Sequence, residues 1–279
     1  EHIWNHVDRV ILMDYEGHII ADNTPDYVLT HCEDLLTEFG VWHPKAWEHA
    51  PTRQLISTEK SEPRFNYKNG EIIRGKKTLI QIPEISIGTG EWITITGKNG
   101  TGKTSLIESI LQLIKYKGQM YYNGTVISKI KQAAQHMYLV YQNPELQFIT
   151  NSVYDEIHIH YNHQDPQVAD DRTNELLTLL HLDAVKQQHP FELSMGQKRR
   201  LSVATALSSK ADIILLDEPT FGLDSHNTFQ LIERFQQRVK RGQTIVMVTH
   251  DPEIIKRYPT RRLHVENGQL LEMAGVTHV

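Results

Sequence analysis

The sequence predicts an α/β fold, a mainly parallel sheet with helices between its strands and a helical piece inserted into it. Three observations carry that expectation. Ile213-Ile214-Leu215-Leu216 and Thr244–Thr249 are apolar runs of strand length, as strands buried on both faces of a parallel sheet require. A helical pattern from Asn227 to Lys240 lies between them, giving β-α-β. From Asn143 to Lys210 the pattern is mostly helical and polar, so residues of about 143–210 read as the inserted subdomain.

The other elements follow in chain order. Arg9-Val10-Ile11-Leu12-Met13 leads through Gly17 to Ile19-Ile20-Ala21-Asp22, a β-hairpin pattern. Leu29, Leu35, Leu36 and Phe39 then mark a packed amphipathic helix. Residues 43–64, with Pro44, Pro51, Ser57, Ser61 and Pro63, read as a linker. Residues 82–105 read as strand, glycine-rich turn and helix. Trp92–Thr96 is its strand, Gly97 opens the loop, and Leu106, Ile110, Leu113 and Ile114 recur at helical spacing. Near the end, Arg262-Leu263-His264-Val265 leads through Gly268 to Leu270-Leu271-Glu272, a second hairpin. The likeness of the two hairpins predicts that residues 1–42 are the tail of an earlier copy of the domain whose body is absent here.

Composition limits the function classes. The chain has 279 residues, 39% hydrophobic and 23% charged, with a formal net charge of -5. That balance speaks against broad nucleic-acid binding, which uses a basic surface. Cys32 is the single cysteine, so no disulfide or cysteine metal cluster can form within the chain. No apolar run approaches the roughly 20 residues a membrane span needs, so service to a membrane would go through a separate partner. The chain begins at Glu1, which reads as a processed form or a fragment.

Gly97-Lys98-Asn99-Gly100-Thr101-Gly102-Lys103-Thr104 matches G-x-x-x-x-G-K-[ST], followed by Ser105. A polyphosphate needs several inward backbone N–H groups, and glycines let the chain curl that tightly. The next helix adds its positive N-terminal end. Lys103 would reach the β- and γ-phosphates and the Thr104 hydroxyl would bind Mg²⁺. In a chain this long the pattern arises by chance on the order of 1% of the time, and its strand–loop–helix context is present. Leu216-Asp217-Glu218-Pro219 places adjacent carboxylates at the end of an apolar strand. Such a pair is costly to desolvate without a cation. Asp217 would hold Mg²⁺, and Glu218 would act as general base on the attacking water.

With Leu193-Ser194-Met195-Gly196-Gln197, these residues resemble the ATP-binding cassette (ABC) ATPases over residues 65–279. Leu193–Gln197 is similar to the family's signature, usually LSGGQ, with Met195 in place of the first glycine. Ser194 and Gln197 also have the spacing of a capping box. The resemblance implies a P-loop cassette with a mixed, mainly parallel core sheet, an antiparallel β subdomain and an inserted helical subdomain. It implies ATP and Mg²⁺, and a second cassette whose signature completes the site, in cis in the full-length protein. Gln142 resembles the Q-loop glutamine that touches Mg²⁺. Gly222-Leu223-Asp224 resembles the D-loop, and His250 the switch histidine on the γ-phosphate. Tyr67 would be the aromatic stacked on adenine, with Phe65 the competing candidate.

Gln142-Asn143-Pro144-Glu145-Leu146-Gln147-Phe148 is similar to the Q-loop stretch of energy-coupling-factor importers. Thr220-Phe221-Gly222-Leu223-Asp224 is similar to second cassettes of their tandem ATPase subunits, some assigned to thiamine or its pyrimidine precursor. The resemblance implies integral-membrane transport subunits as partners, a vitamin, vitamin precursor or metal ion as cargo, and a peripheral place on the cytoplasmic face of the membrane. The alternative is a soluble tandem ATPase acting on ribosomes or DNA. The charged linker and zinc or coiled-coil modules of such proteins have no counterpart in the sequence, and no nucleic-acid partner is expected. His158, His160 and His163 read as solvated histidines, and Arg199 and Arg200 as ion-paired or solvated.

Overall fold

The computed structural model describes residues 2–14, 16–54 and 63–273. The expected linker positions Ser57 and Ser61 lie outside the described residues. The chain divides into two compact units. One holds residues 1–52 and 222–234, the other 53–221 and 235–279.

In the first unit, β1 (Val10–Met13) and β2 (Ile19–Asn23) pair antiparallel, as the hairpin pattern predicts. The expected single helix is two short ones, α1 (Pro25–His31) and α2 (Glu33–Glu38), which meet at Cys32. Trp4, Leu12, Val28, Cys32 and Leu36 form their shared core. The unit does not stop at residue 42. A 3-10 turn follows at Ala46–His49 with Ala46 and Trp47 buried, so residues 43–49 pack and do not form a loose linker. Trp42 and Trp47 meet the Phe229 ring, and the Trp42 indole donates to the Leu223 carbonyl at 2.7 Å. The Ser225 amide donates to the Gly40 carbonyl.

The second unit is built on one ten-stranded sheet. Its chain order is β3 (Phe65–Arg74), β4 (Lys77–Ile87), β5 (Trp92–Gly97), α3 (Lys103–Ile110), β6 (Tyr116–Tyr122), β7 (Thr125–Ile127), α4 (Ile130–Ala133) and β8 (Met137–Val140). The inserted helices are α5 (Val153–His158), α6 (Pro166–Leu179) and α7 (Met195–Ser208). Then come β9 (Ile213–Asp217), α8 (Ser225–Lys240), which starts in the first unit, β10 (Thr244–Val248), α9 (Pro252–Arg257), β11 (Arg261–Glu266) and β12 (Gln269–Met273). The spatial order is β7-β6-β3-β4-β12-β11-β5-β10-β9-β8. From β11 to β8 the strands are parallel; β12 returns antiparallel on β11, and β3, β4, β6 and β7 form the antiparallel part.

The apolar runs explain the centre. All residues of β9 and β10 are buried, because helices cover both faces of the parallel strands. Trp92 opens β5 fully buried, between the rings of Phe235 and Tyr258. The α3 helix ends earlier than its apolar pattern. Ile110 is its last residue, Gln112 turns with φ +65°, and Leu113 is exposed. Register fixes where chemistry can occur. Val248 lies opposite both Ile95 and Asp217, so β10 and β9 end level at the carboxyl edge and β5 runs on two residues to Gly97. That edge is where parallel α/β sheets place ligands.

Candidate nucleotide site

The loop after β5 curls as its glycines require. Gly97 has φ +143°, and a Cβ there would meet the Val265 carbonyl oxygen at 2.6 Å. Gly102 takes the N-cap of α3 at φ +102°, a left-handed conformation that disfavours other residues. Lys103 is buried and its ammonium donates to the carbonyls of Gly97 (2.8 Å) and Lys98 (3.0 Å). Burial lowers its pKa, against the raising effect of Glu218 and Asp217. Thr101 Oγ1 also donates to the Lys98 carbonyl. Ser105 is buried in the first turn of α3, where its Oγ lies 3.3 Å from Arg74 Nε.

Thr104 and Asp217 come together across the strand ends: Oγ1 donates to Oδ2 at 2.8 Å. Burial raises the pKa of Asp217, with Thr104 and Lys103 working against it. Glu218 turns with φ +50°, and its amide donates to the Val248 carbonyl. Burial pushes its carboxyl up to about 7. Its Oε1 is buried without a hydrogen-bond partner among the described residues, although His250 Nε2 lies 3.6 Å away. Burial and the Lys103 charge lower the His250 pKa, with Asp217 working against them.

Asn99, Gly100, Lys103, Thr104, Ser105, Gln142, Asp217, Glu218 and His250 all line one cavity of about 640 Å³, with Leu79 and Phe221. A hydroxyl, a carboxylate and an amide oxygen are the hard ligands that magnesium takes, together with water and phosphate. The Glu218 oxygen lacking a donor fits a water bound there. The residues therefore suit a magnesium nucleotide.

Three expectations need correction. Tyr67 is fully buried in β3. Its hydroxyl donates to the Lys117 carbonyl and its ring lies where a Cβ on Gly70 would stand, so it has no face to offer an adenine. Arg199 is neither solvated nor ion-paired: it is 3% exposed and donates to the carbonyls of Tyr141 and Gln142. Of the three histidines read as solvated, His163 is exposed, whereas His158 lies 3.2 Å from Asp170 and His160 is half-buried against the Tyr138 ring. They form no metal cluster among the described residues.

Leu193 to Gln197 do not line the cavity. Ser194 and Gln197 do form the expected capping box on α7: the Gln197 amide donates to Ser194 Oγ, and the Ser194 amide to Gln197 Oε1. Met195 is exposed and Leu193 buried. Gly222, Leu223 and Asp224 fall in the first unit, where Asp224 accepts from the Asn227 amide near the start of α8.

Glycine loop, helix start and paired carboxylates at the carboxyl ends of parallel strands define a P-loop nucleotide-binding protein. The family described as "ABC transporter" matches residues 80–221, just over half of the chain. The chain belongs to that family and carries its ATP-hydrolysing cassette. It is 29% identical over 276 residues to the putative HMP/thiamine import ATP-binding protein YkoD of Bacillus subtilis, covering 90% of this chain and 50% of that protein. It is 30% identical over 299 residues to a putative ABC transporter ATP-binding protein of Streptococcus pneumoniae, covering 95% and 52%. The chain thus spans about half the length of the curated relatives it matches. Among solved structures, the ATP-binding cassette MJ0796 bound to ADP and Pi matches with a TM-score of 0.68 at 21% identity, covering 77% of this chain and all of that one. CbiO1 of Clostridium perfringens, part of an ABC transporter complex cbiONQ, matches with 0.64 at 23%, covering 77% and 89%. Both likenesses bear on the fold.

Proposed function

We propose that the chain is the second cassette of a tandem ATPase subunit that energises an importer of the energy-coupling-factor type, with a vitamin, its precursor or a metal ion as cargo. The observation that carries the tandem part is an equivalence between the two hairpins. Arg9 bonds Asp22, which is the register partner of Ile11. Arg261 bonds Glu272, the register partner of Leu263. Each arginine thus stands two residues before the register partner of its acid. Half-length coverage of the relatives supports the same reading, and the YkoD name supports the cargo class. No helix among the described residues is long and apolar enough to cross a membrane, so the proposal assigns spanning to partner subunits and this chain to the cytoplasmic face.

In the proposed mechanism the loop amides and Lys103 bind the polyphosphate, and Lys103 leaves the carbonyls of Gly97 and Lys98 to do so. Bound magnesium would neutralise phosphate charge beside Thr104, Gln142 and Asp217. Glu218 orients the attacking water and takes its proton at the carboxylate. His250 would donate toward the γ-phosphate. A facing cassette would lay its own signature helix over the nucleotide and exclude bulk water.

The test is detergent purification of the full-length protein from its host, followed by identification of its companions. An integral-membrane subunit with a small substrate-binding membrane protein supports the importer. Ribosomes or DNA without a membrane protein would overturn it and leave the ATPase assignment standing.

A further inference from the structure

Arg199 sits in the second turn of α7, just past the capping box, and is 3% exposed. Its Nη1 donates to the Tyr141 carbonyl at 2.9 Å and its Nη2 to the Gln142 carbonyl at 2.6 Å. No carboxylate pairs with it at contact distance among the described residues, and its Nε is buried without a hydrogen-bond partner. Burying a guanidinium on such terms is costly, and an apolar side chain of similar size would pack there more favourably. The geometry gives a reason for the cost. The two carbonyls belong to the peptide groups on either side of the Gln142 Cα. Fixing both fixes the direction in which the Gln142 side chain leaves the backbone, toward the nucleotide cavity it lines.

Three further contacts tie the same segment to the same helix. Lys198 Nζ lies 2.5 Å from Glu145 Oε1. Gln147 Nε2 donates to Thr205 Oγ1 at 2.7 Å and to the Ser202 carbonyl at 3.0 Å. Residues 141–147 are thus joined to α7 along its length, with Arg199 holding the end nearest the cavity.

We propose that Arg199 is a positioning residue for Gln142, so that the helix beginning at the signature and the glutamine at the nucleotide move as one piece. The proposal rests on the reading that Gln142 serves the magnesium nucleotide. The planar fork matters to it, since its two separate nitrogens fix both carbonyls in one rigid orientation, whereas a lysine ammonium keeps the charge on a single rotatable point at the end of a flexible stem.

The experiment compares Arg199→Lys, Gln142→Ala and the double variant in the full-length protein, using MgATP. Arg199→Lys should lower kcat about tenfold, the scale of one or two lost charge-assisted hydrogen bonds, and leave affinity for ATP in EDTA unchanged. In the ligand-free protein, amide hydrogen exchange across 141–147 should quicken. On the Gln142→Ala background the lysine should cost nothing further, as coupled residues in a mutant cycle behave. An equal loss on both backgrounds, or unchanged exchange in 141–147, overturns the positioning role. Normal turnover by Gln142→Ala overturns the reading of Gln142 itself, and the proposal with it. Arg199→Met, which keeps the packing without the charge, should repeat the lysine result if lysine impairs folding.

Discussion

Replacing Glu218 with glutamine should stabilise the nucleotide-free protein while nearly stopping its turnover. The carboxyl is pushed from 4.5 to about 7 by burial, and one of its oxygens has no donor. A folded-state pKa above the unfolded value means that the native state holds its proton more tightly. Stability from this group is therefore full below pH 4.5 and is lost as pH rises through about 7. At 1.36 kcal/mol per pKa unit the loss by pH 8 is roughly 3 kcal/mol. This is an upper figure, because 16% of the side chain is open to water. Glutamine is neutral at both pH values and carries no such loss. At about 2 °C per kcal/mol for a chain of this size, its melting midpoint in EDTA should exceed that of the natural protein by several degrees at pH 8. At pH 5 most of the difference should vanish. Steady-state ATPase should fall by about 10²–10⁴-fold, the usual contribution of a general base. An equal shift in midpoint at both pH values would refute the desolvation argument, and normal hydrolysis would refute the base assignment.

Lys103→Ala should weaken ATP affinity by about 10- to 100-fold, since charge-assisted contacts to the phosphates are lost, as calorimetric titration would read; unchanged affinity would remove Lys103 from the site. Gly97→Ala should cost about 1–3 kcal/mol through forced backbone strain, because its Cβ would press on the Val265 carbonyl. Denaturant unfolding measures that loss. Trp92→Ala should cost about 3–5 kcal/mol, the range for emptying a buried aromatic position. Trp42→Phe keeps the rings against Trp47 and Phe229 but loses the donor to Leu223. It should cost about 1 kcal/mol and speed amide exchange at the start of α8.

The parts of the site that sequence reveals are those made by neighbouring residues. The Gly97–Thr104 loop and the Asp217–Glu218 pair state their chemistry in a few consecutive positions, because a loop that curls around phosphate is a local structure. The flanking strands were equally legible, since full burial on both faces leaves an unbroken apolar run. Tyr67 misled for the opposite reason. An aromatic in a strand reads the same whether it faces a ligand or the core, and only packing on Gly70 and Tyr116 decides. The apolar pattern past Ile110 likewise continued after the helix had stopped, because Ile114 still packs on the core from a turn.

What sequence could not give is pairing over long separations. Arg199 reads as a surface charge following a capped helix start, yet its partners are carbonyls, which carry no side-chain signature at all. The same holds for Trp42 and Leu223, joined through a backbone oxygen across 181 positions. That bond helps place Gly222–Asp224 in a unit with residues 1–52, so the boundary expected at residue 42 falls inside a packed region. Both misses share a cause. Backbone acceptors are present at every residue, so nothing in the chain marks which ones a distant side chain will use. The usable signal is indirect: a charged or indole side chain next to a motif, with no opposite charge at helical or strand spacing, is a candidate for holding backbone. Arg199 satisfies that description, and its fork reaches the two peptide groups that aim Gln142.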